Sequence, residues 1–211
     1  MNSLDFFQKG GPVMYILFLC SLTVIAISID RFIYYRQAVK DKSEFQTGLE
    51  KILLQKTVPE AIAFCKNFSN AFSFVAMAGL KAYKKGNDVE QALDSTYSMA
   101  AMKLRERINY LSVVVTLAPL LGLLGTIFGM IQSFSIFNVQ AGQPLAITGG
   151  IGEALIATAT GLCVAVLSLL AHTYYSQRLD TILTDLEQTY TIVLNCVPKQ
   201  TMPGGSIHET T

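Results

Sequence analysis

Three apolar runs constrain this chain more than any other feature: Val13 to Ile29, Leu111 to Phe137, and a run that opens at Glu153 and ends near Ala171. Hydrocarbon offers no water to the backbone, so runs of this kind cross a bilayer as helices. The first run, at 17 residues, spans if its flanks snorkel or the bilayer thins; the second, at 27, crosses with tilt and protrudes. A hydrophobic fraction of 51% with only 15% charged residues agrees, because soluble domains carry about 25% charged. A cleavable signal peptide is the competing reading of the first run, since Ala26-Ile27-Ser28 looks like a small-x-small site. Only Lys9 precedes the run, whereas Arg31, Arg36, Lys40 and Lys42 follow it as a stop-transfer pattern, so the helix is retained.

Charge sets the expected direction of the spans. Thirteen of the sixteen Lys and Arg lie between Asp30 and Tyr110, and none lies between Asn138 and Gly152. The positive-inside rule then predicts an outer N-terminus (1–12), span 13–29, cytoplasmic region 30–110, span 111–137, outer loop 138–152, span 153–171, cytoplasmic extension 172–201 and a disordered tail 202–211. Phe32, Tyr34, Tyr35, Tyr110, Tyr174 and Tyr175 fall at the expected inner interface, where amphipathic rings prefer to sit.

The cytoplasmic part reads as helical. Thr57-Val58-Pro59-Glu60 has the form of a capping box, and Asn87-Asp88 opens a longer helix with Gln91 at its third position. No breaker follows Val89 before Pro119, so the second span is expected to continue that helix. The third extends past Tyr175, with Leu179, Ile182, Leu183 and Leu186 on one face. The predicted fold class is an all-α membrane protein of three transmembrane helices, N-out and C-in, whose second and third helices extend into a cytoplasmic bundle.

Several function classes drop out. Sixteen basic against fifteen acidic side chains leave no clustered excess for nucleic acid. Cys20, Cys65, Cys163 and Cys196 show no metal spacing, with each other or with His172 and His208, and read as small hydrophobes with reduced thiols. Asn67-Phe68-Ser69 matches a glycosylation acceptor but falls in the expected cytoplasmic part. Gly122, Gly125 and Gly129 carry no nucleotide-loop pattern; they let another helix approach closely, while Pro119 is expected to kink its helix.

Glu153 is the only acid or base in the three spans. An ionised carboxylate in hydrocarbon is expensive, so an intramembrane Glu is by default part of an ion or proton path, and apolar surroundings favour its protonated form. One carboxylate cannot carry charge across a bilayer alone; either several copies form a ring, or another subunit supplies the missing group. Thr160 lies seven residues on, almost on the face of Glu153, whereas Thr158 turns well away from it. Thr126 is the only polar residue from Leu117 to Ile131. Each hydroxyl could simply bond its own helix carbonyls.

Ala118-Pro119-Leu120-Leu121-Gly122-Leu123-Leu124-Gly125-Thr126-Ile127-Phe128-Gly129-Met130-Ile131, followed by Gly152-Glu153-Ala154-Leu155-Ile156-Ala157-Thr158-Ala159, resembles the paired signature of the MotA/TolQ/ExbB proton-channel family. Three spans with one large cytoplasmic loop resemble its ExbB/TolQ branch. The resemblance implies a homopentamer in the bacterial inner membrane, with ExbD- or TolR-like single-span subunits in the central pore and an Asp of that partner accepting the proton. It implies work driven by the proton motive force on a TonB- or TolA-like transducer, for outer-membrane transport or envelope maintenance. It implies no enzyme activity and no cofactor. By motif position Thr126, Glu153 and Thr158 correspond to the family's polar channel residues. Thr148-Gly149-Gly150-Ile151-Gly152 departs from the alanine-proline-glycine-isoleucine-alanine of proteobacterial members, which blurs any choice between the ExbB and TolQ systems. Thr160 stands where they carry an apolar residue, which leaves sodium open as the coupling ion.

Two rivals remain. Ser168 and His172 lie four apart on one helix face, the minimum for an intramembrane hydrolase dyad, but no further catalytic motif accompanies them. A non-conducting membrane scaffold would use the same helices yet gives no reason for burying Glu153.

Overall fold

The computed structural model describes residues 11–55, 57–139 and 144–197, without the side chains of 135–139, 144–148 and Glu153. Residues 1–10 of the predicted outer N-terminus (1–12), residues 198–201 of the predicted extension and the whole predicted tail 202–211 lie outside the described residues. Those described form seven helices: α1 (Gly11–Ala38), α2 (Lys42–Gln55), α3 (Val58–Lys66), α4 (Ala71–Lys85), α5 (Val89–Arg105), α6 (Ile108–Val139) and α7 (Pro144–Cys196). Three helical stretches, within Gly11–Gln55, Val89–Phe134 and Gly149–Cys196, are long and apolar enough to cross a membrane. The fold is all-α, as the apolar runs predict. Pro144–Gly152, expected in the connecting loop, already belong to α7. Proline suits a first helical position, where its missing N–H would have had no partner.

The uninterrupted helix expected from Val89 into the second span is broken once. It stops at Arg105 and resumes at Ile108, with Arg107 in the left-handed region at φ 68°. No glycine or proline marks this break; its cause is tertiary. Arg31, only 4% exposed, donates from Nη1 to the Glu106 carbonyl (2.9 Å) and from Nη2 to Asp30 Oδ2 (2.8 Å). Arg107 reaches Asp30 Oδ1 at 2.9 Å. The turn's carbonyl is thereby satisfied by a charged donor from α1, a stronger bond than a neutral one.

The chain divides into two compact units, Met1–Ile33 with Arg105–Leu179, and Tyr34–Leu104 with Asp180–Thr211. In the first, α1, α6 and α7 leave large apolar side chains exposed, among them Leu19, Ile131 and Leu170. In lipid such exposure carries no penalty.

The second unit is packed around large apolar side chains. Phe45, Phe64 and Phe68 pack with ring centroids 5.0–5.9 Å apart, and Phe45, Leu49, Phe72, Val75 and Leu80 are fully buried. Asn70 caps α4 by accepting from the Ser73 N–H, and its Nδ2 donates to the Lys40 carbonyl at 2.9 Å. Gly86, left-handed at φ 76°, closes the other end. Asp88 caps α5 through the Gln91 N–H. Thr57 stands at the N-cap of α3, yet the capping box is not made: its side chain forms no cap bond, and its carbonyl accepts from Glu60 and Ala61. Pro59 removes one of the N–H groups an N-cap side chain usually takes. Gln46 donates to the Asp185 carbonyl and to Thr189 Oγ1, while Lys42 pairs with Asp185 and ties α2 to the end of α7. Burial pushes the Cys65 thiol up to about 11. Tyr190 is pushed up to about 12, mainly by desolvation and then by its hydrogen bond with Asp94.

Candidate functional site

The membrane-length helices α6 and α7 meet along a seam of small residues. A Cβ on Gly122 would stand 3.1 Å from the Ala157 carbonyl oxygen and 3.1 Å from the Thr158 Cα. On Gly125 it would stand 2.6 Å from the Ala157 Cβ, and on Gly129 2.9 Å from the Ala154 Cβ. Gly161 answers from α7, where an added Cβ would come within 2.6 Å of the Ala118 carbonyl oxygen. Backbones this close replace the hydrophobic drive that lipid cannot supply with van der Waals contact. Pro119 lies inside α6, and the helix continues through it.

The hydroxyls divide into two kinds. Thr126 Oγ1 donates to the Leu123 carbonyl (2.6 Å) and Thr160 Oγ1 to the Ile156 carbonyl (2.8 Å), each within its own helix. Thr158 Oγ1 instead crosses to α6 and donates to the Gly122 carbonyl at 3.0 Å. Ser168, fully buried, also crosses, donating to the Leu111 carbonyl at 2.9 Å. Its hydroxyl proton is thus directed to α6 rather than to His172. Ser133, also buried, back-bonds to Gly129.

Glu153 belongs to α7, one residue before the Ala154 that meets Gly129; its side chain lies outside the described residues. The structure thus brings Gly122, Gly125, Gly129 and Thr158 into one seam and leaves the hydroxyls of Thr126 and Thr160 on their own helices. Sequence reading missed the α7 half of the seam. Its signal was present: Ala154, Ala157, Thr158 and Gly161 are small residues at helical spacing. The cross-helix role of Ser168 had no such signal, since only the packed pair shows which carbonyl it meets. Asp30 was missed too; its carboxyl is held below its ordinary value chiefly by the Arg31 hydrogen bond.

Three helices of membrane length, two of them joined by a glycine seam that the Thr158 and Ser168 hydroxyls bridge, define a multi-pass helical membrane protein. A sequence profile of the MotA/TolQ/ExbB proton channel family matches residues 64–188, so the chain belongs to that family. Among relatives, the biopolymer transport protein ExbB-like 3 of Synechocystis sp. is 34% identical over 89% of this chain and 91% of its own length. The ExbB of Neisseria meningitidis serogroup A is 26% identical over 89% and 93%, and the TolQ of Haemophilus influenzae 25% identical over 88% and 89%. These place the chain in the ExbB/TolQ branch, a channel and transport family rather than a known enzyme family.

Proposed function

We propose that this chain is the channel-forming subunit of a proton-driven motor of the ExbB–ExbD or TolQ–TolR kind, resident in a bacterial inner membrane. Several copies, five by family resemblance, surround the spans of single-pass partners, and Glu153 with Thr126, Thr158 and Thr160 lines the ion path. The partner supplies the second acid that one carboxylate per chain requires. The force acts on a TonB- or TolA-like transducer. The relatives point both ways, one being a biopolymer transport protein and another a Tol-Pal system protein. Spans 13–29, 111–137 and 153–171 run N-out, with 30–110 and 172–201 in the cytoplasm. Thiol labelling of Gln143→Cys from outside and of Lys85→Cys only from the cytoplasm tests that topology.

The observation that carries the reading is the isolation of Glu153: it is the one acid or base in the spans, and its helix is the one that the glycine seam packs against α6. Glu153→Gln keeps shape and hydrogen bonding but removes ionisation. It is expected to abolish proton flux in vesicles holding this chain and its partner while assembly stays intact. Flux at the wild-type level would end the channel assignment and leave the scaffold.

Protons are favoured over sodium because the matching family is one of proton channels, the partner would supply the second acid, and Thr160, bonded to its own helix carbonyl, is satisfied without an ion. Coupled activity measured at fixed proton motive force should survive removal of sodium. A sodium dependence that Thr160→Ala removes would reverse the ion.

A further inference from the structure

We infer that Thr158 and Ser168 are positioning residues, which hold α7 in register on α6 and thereby fix where Glu153 stands; the inference rests on the ion-path reading for its consequence but not for its geometry. Both hydroxyls donate across the helix pair, Thr158 to the Gly122 carbonyl and Ser168 to the Leu111 carbonyl. Ten residues separate the two donors on α7 and eleven separate the acceptors on α6, running in opposite directions. The two bonds are therefore rungs of a single antiparallel alignment, roughly 15 Å apart at 1.5 Å per residue.

The reason two rungs are needed lies in the seam between them. Van der Waals contact between the small residues holds the helices close, but each such contact is individually weak and has no direction of its own. A directed hydrogen bond has an angular and distance optimum, and a second one far along the same axis removes the remaining freedom. Ser168 is fully buried, so its hydroxyl has no competing water, and its partner is a carbonyl on the opposite helix. Thr158 turns away from the Glu153 face and toward α6. Its donor proton is directed to a backbone oxygen of α6, so beside its place along the ion path it also sets the placement of α7.

Two measurements test this. In the first, spin labels on native Cys163 and on Leu120→Cys report the α6–α7 distance in the full chain in lipid, with Cys20 and Cys196 replaced; both labelled positions are exposed, and Cys65 is buried. Thr158→Val, which exchanges hydroxyl for methyl, and Ser168→Ala should each broaden the distance distribution, while Thr158→Ser restores it. In the second, proton flux through the complex should fall about three- to tenfold in each single variant, the range expected for one cross-helix bond in lipid. Sites this far apart ordinarily act additively. Here the double variant should lose more than the product of the two singles, because the remaining rung no longer holds the register. An unchanged distance distribution in Thr158→Val and Ser168→Ala would overturn the inference, as would a Thr158→Ser variant as defective as Thr158→Val. If Glu153→Gln conducts normally, the ion-path reading fails, yet the spin-label distances still decide whether these hydroxyls set the register.

Discussion

The two units treat glycine differently, and the difference shows what each solvent demands. In the unit that holds the membrane-length helices, a carbon added at Gly122 or Gly161 meets backbone: the Ala157 and Ala118 carbonyl oxygens and the Thr158 Cα. In the other unit, a carbon at Gly48 meets the tip of the Phe64 ring, and one at Gly79 meets Leu93 and Val193 side chains. Burial of large side chains such as Phe45 and Phe72 drives the second unit together, and what an added carbon meets there is side-chain atoms rather than backbone. Lipid provides no such drive, so the first unit gains its contact from backbone approach, where nothing can rotate aside.

Substitutions rank accordingly. Gly129→Leu should have the largest effect, abolishing assembly or conduction, because its first side-chain carbon would already lie 2.9 Å from the Ala154 Cβ and 3.3 Å from the Gly150 carbonyl oxygen. Size-exclusion profiles and flux report it; a fully assembled, active variant would mean that this face meets lipid. Phe45→Ala should follow, destabilising the second unit by about 3–5 kcal/mol, as truncation of a buried Phe does. Thermal unfolding should show that loss. Gly79→Ala should be milder, about 1–3 kcal/mol, because only side chains must shift. Gly161→Ala, against a carbonyl, should cost more than Gly79→Ala. Equal effects would break the comparison between the units.

The smallest effect concerns acid. The Asp30 carboxyl, held below its ordinary value of 3.8 by Arg31 first, binds fewer protons folded than unfolded. Its contribution is therefore complete above about pH 4 and is lost as pH falls through the lowered value. Asp30→Asn should unfold at a lower temperature than wild type at pH 7, by a small margin that closes only below about pH 4. A gap that persists at lower pH would assign the effect to the shape of the turn at Arg107 rather than to charge.

What could be read from the sequence follows range of interaction. The three apolar runs and the long extension of α7 are local patterns, and Asp88 capping Gln91 is local as well. The break at Glu106–Arg107 was not readable, because no residue there disfavours a helix and its cause, Arg31, lies 75 residues away. Thr57 misled because a capping pattern states what can bond, not what does. Helical spacing turns Thr158 from the face of Glu153, but what it turns toward required α6. The triad Phe45, Phe64 and Phe68 left no pattern that separates it from other scattered aromatics.

The Gly125–Ala157 contact also fixes how these two positions can vary together. No side chain is smaller than glycine, so α6 has nothing left to give up at Gly125, and any added carbon there must be matched by one removed from α7. The 2.6 Å gap to the Ala157 Cβ involves a single methyl. Gly125→Ala alone should fail, Ala157→Gly alone should loosen the pair, and the exchange of the two, Gly125→Ala with Ala157→Gly, should restore it. The methyl belongs to the contact, and either helix can carry it.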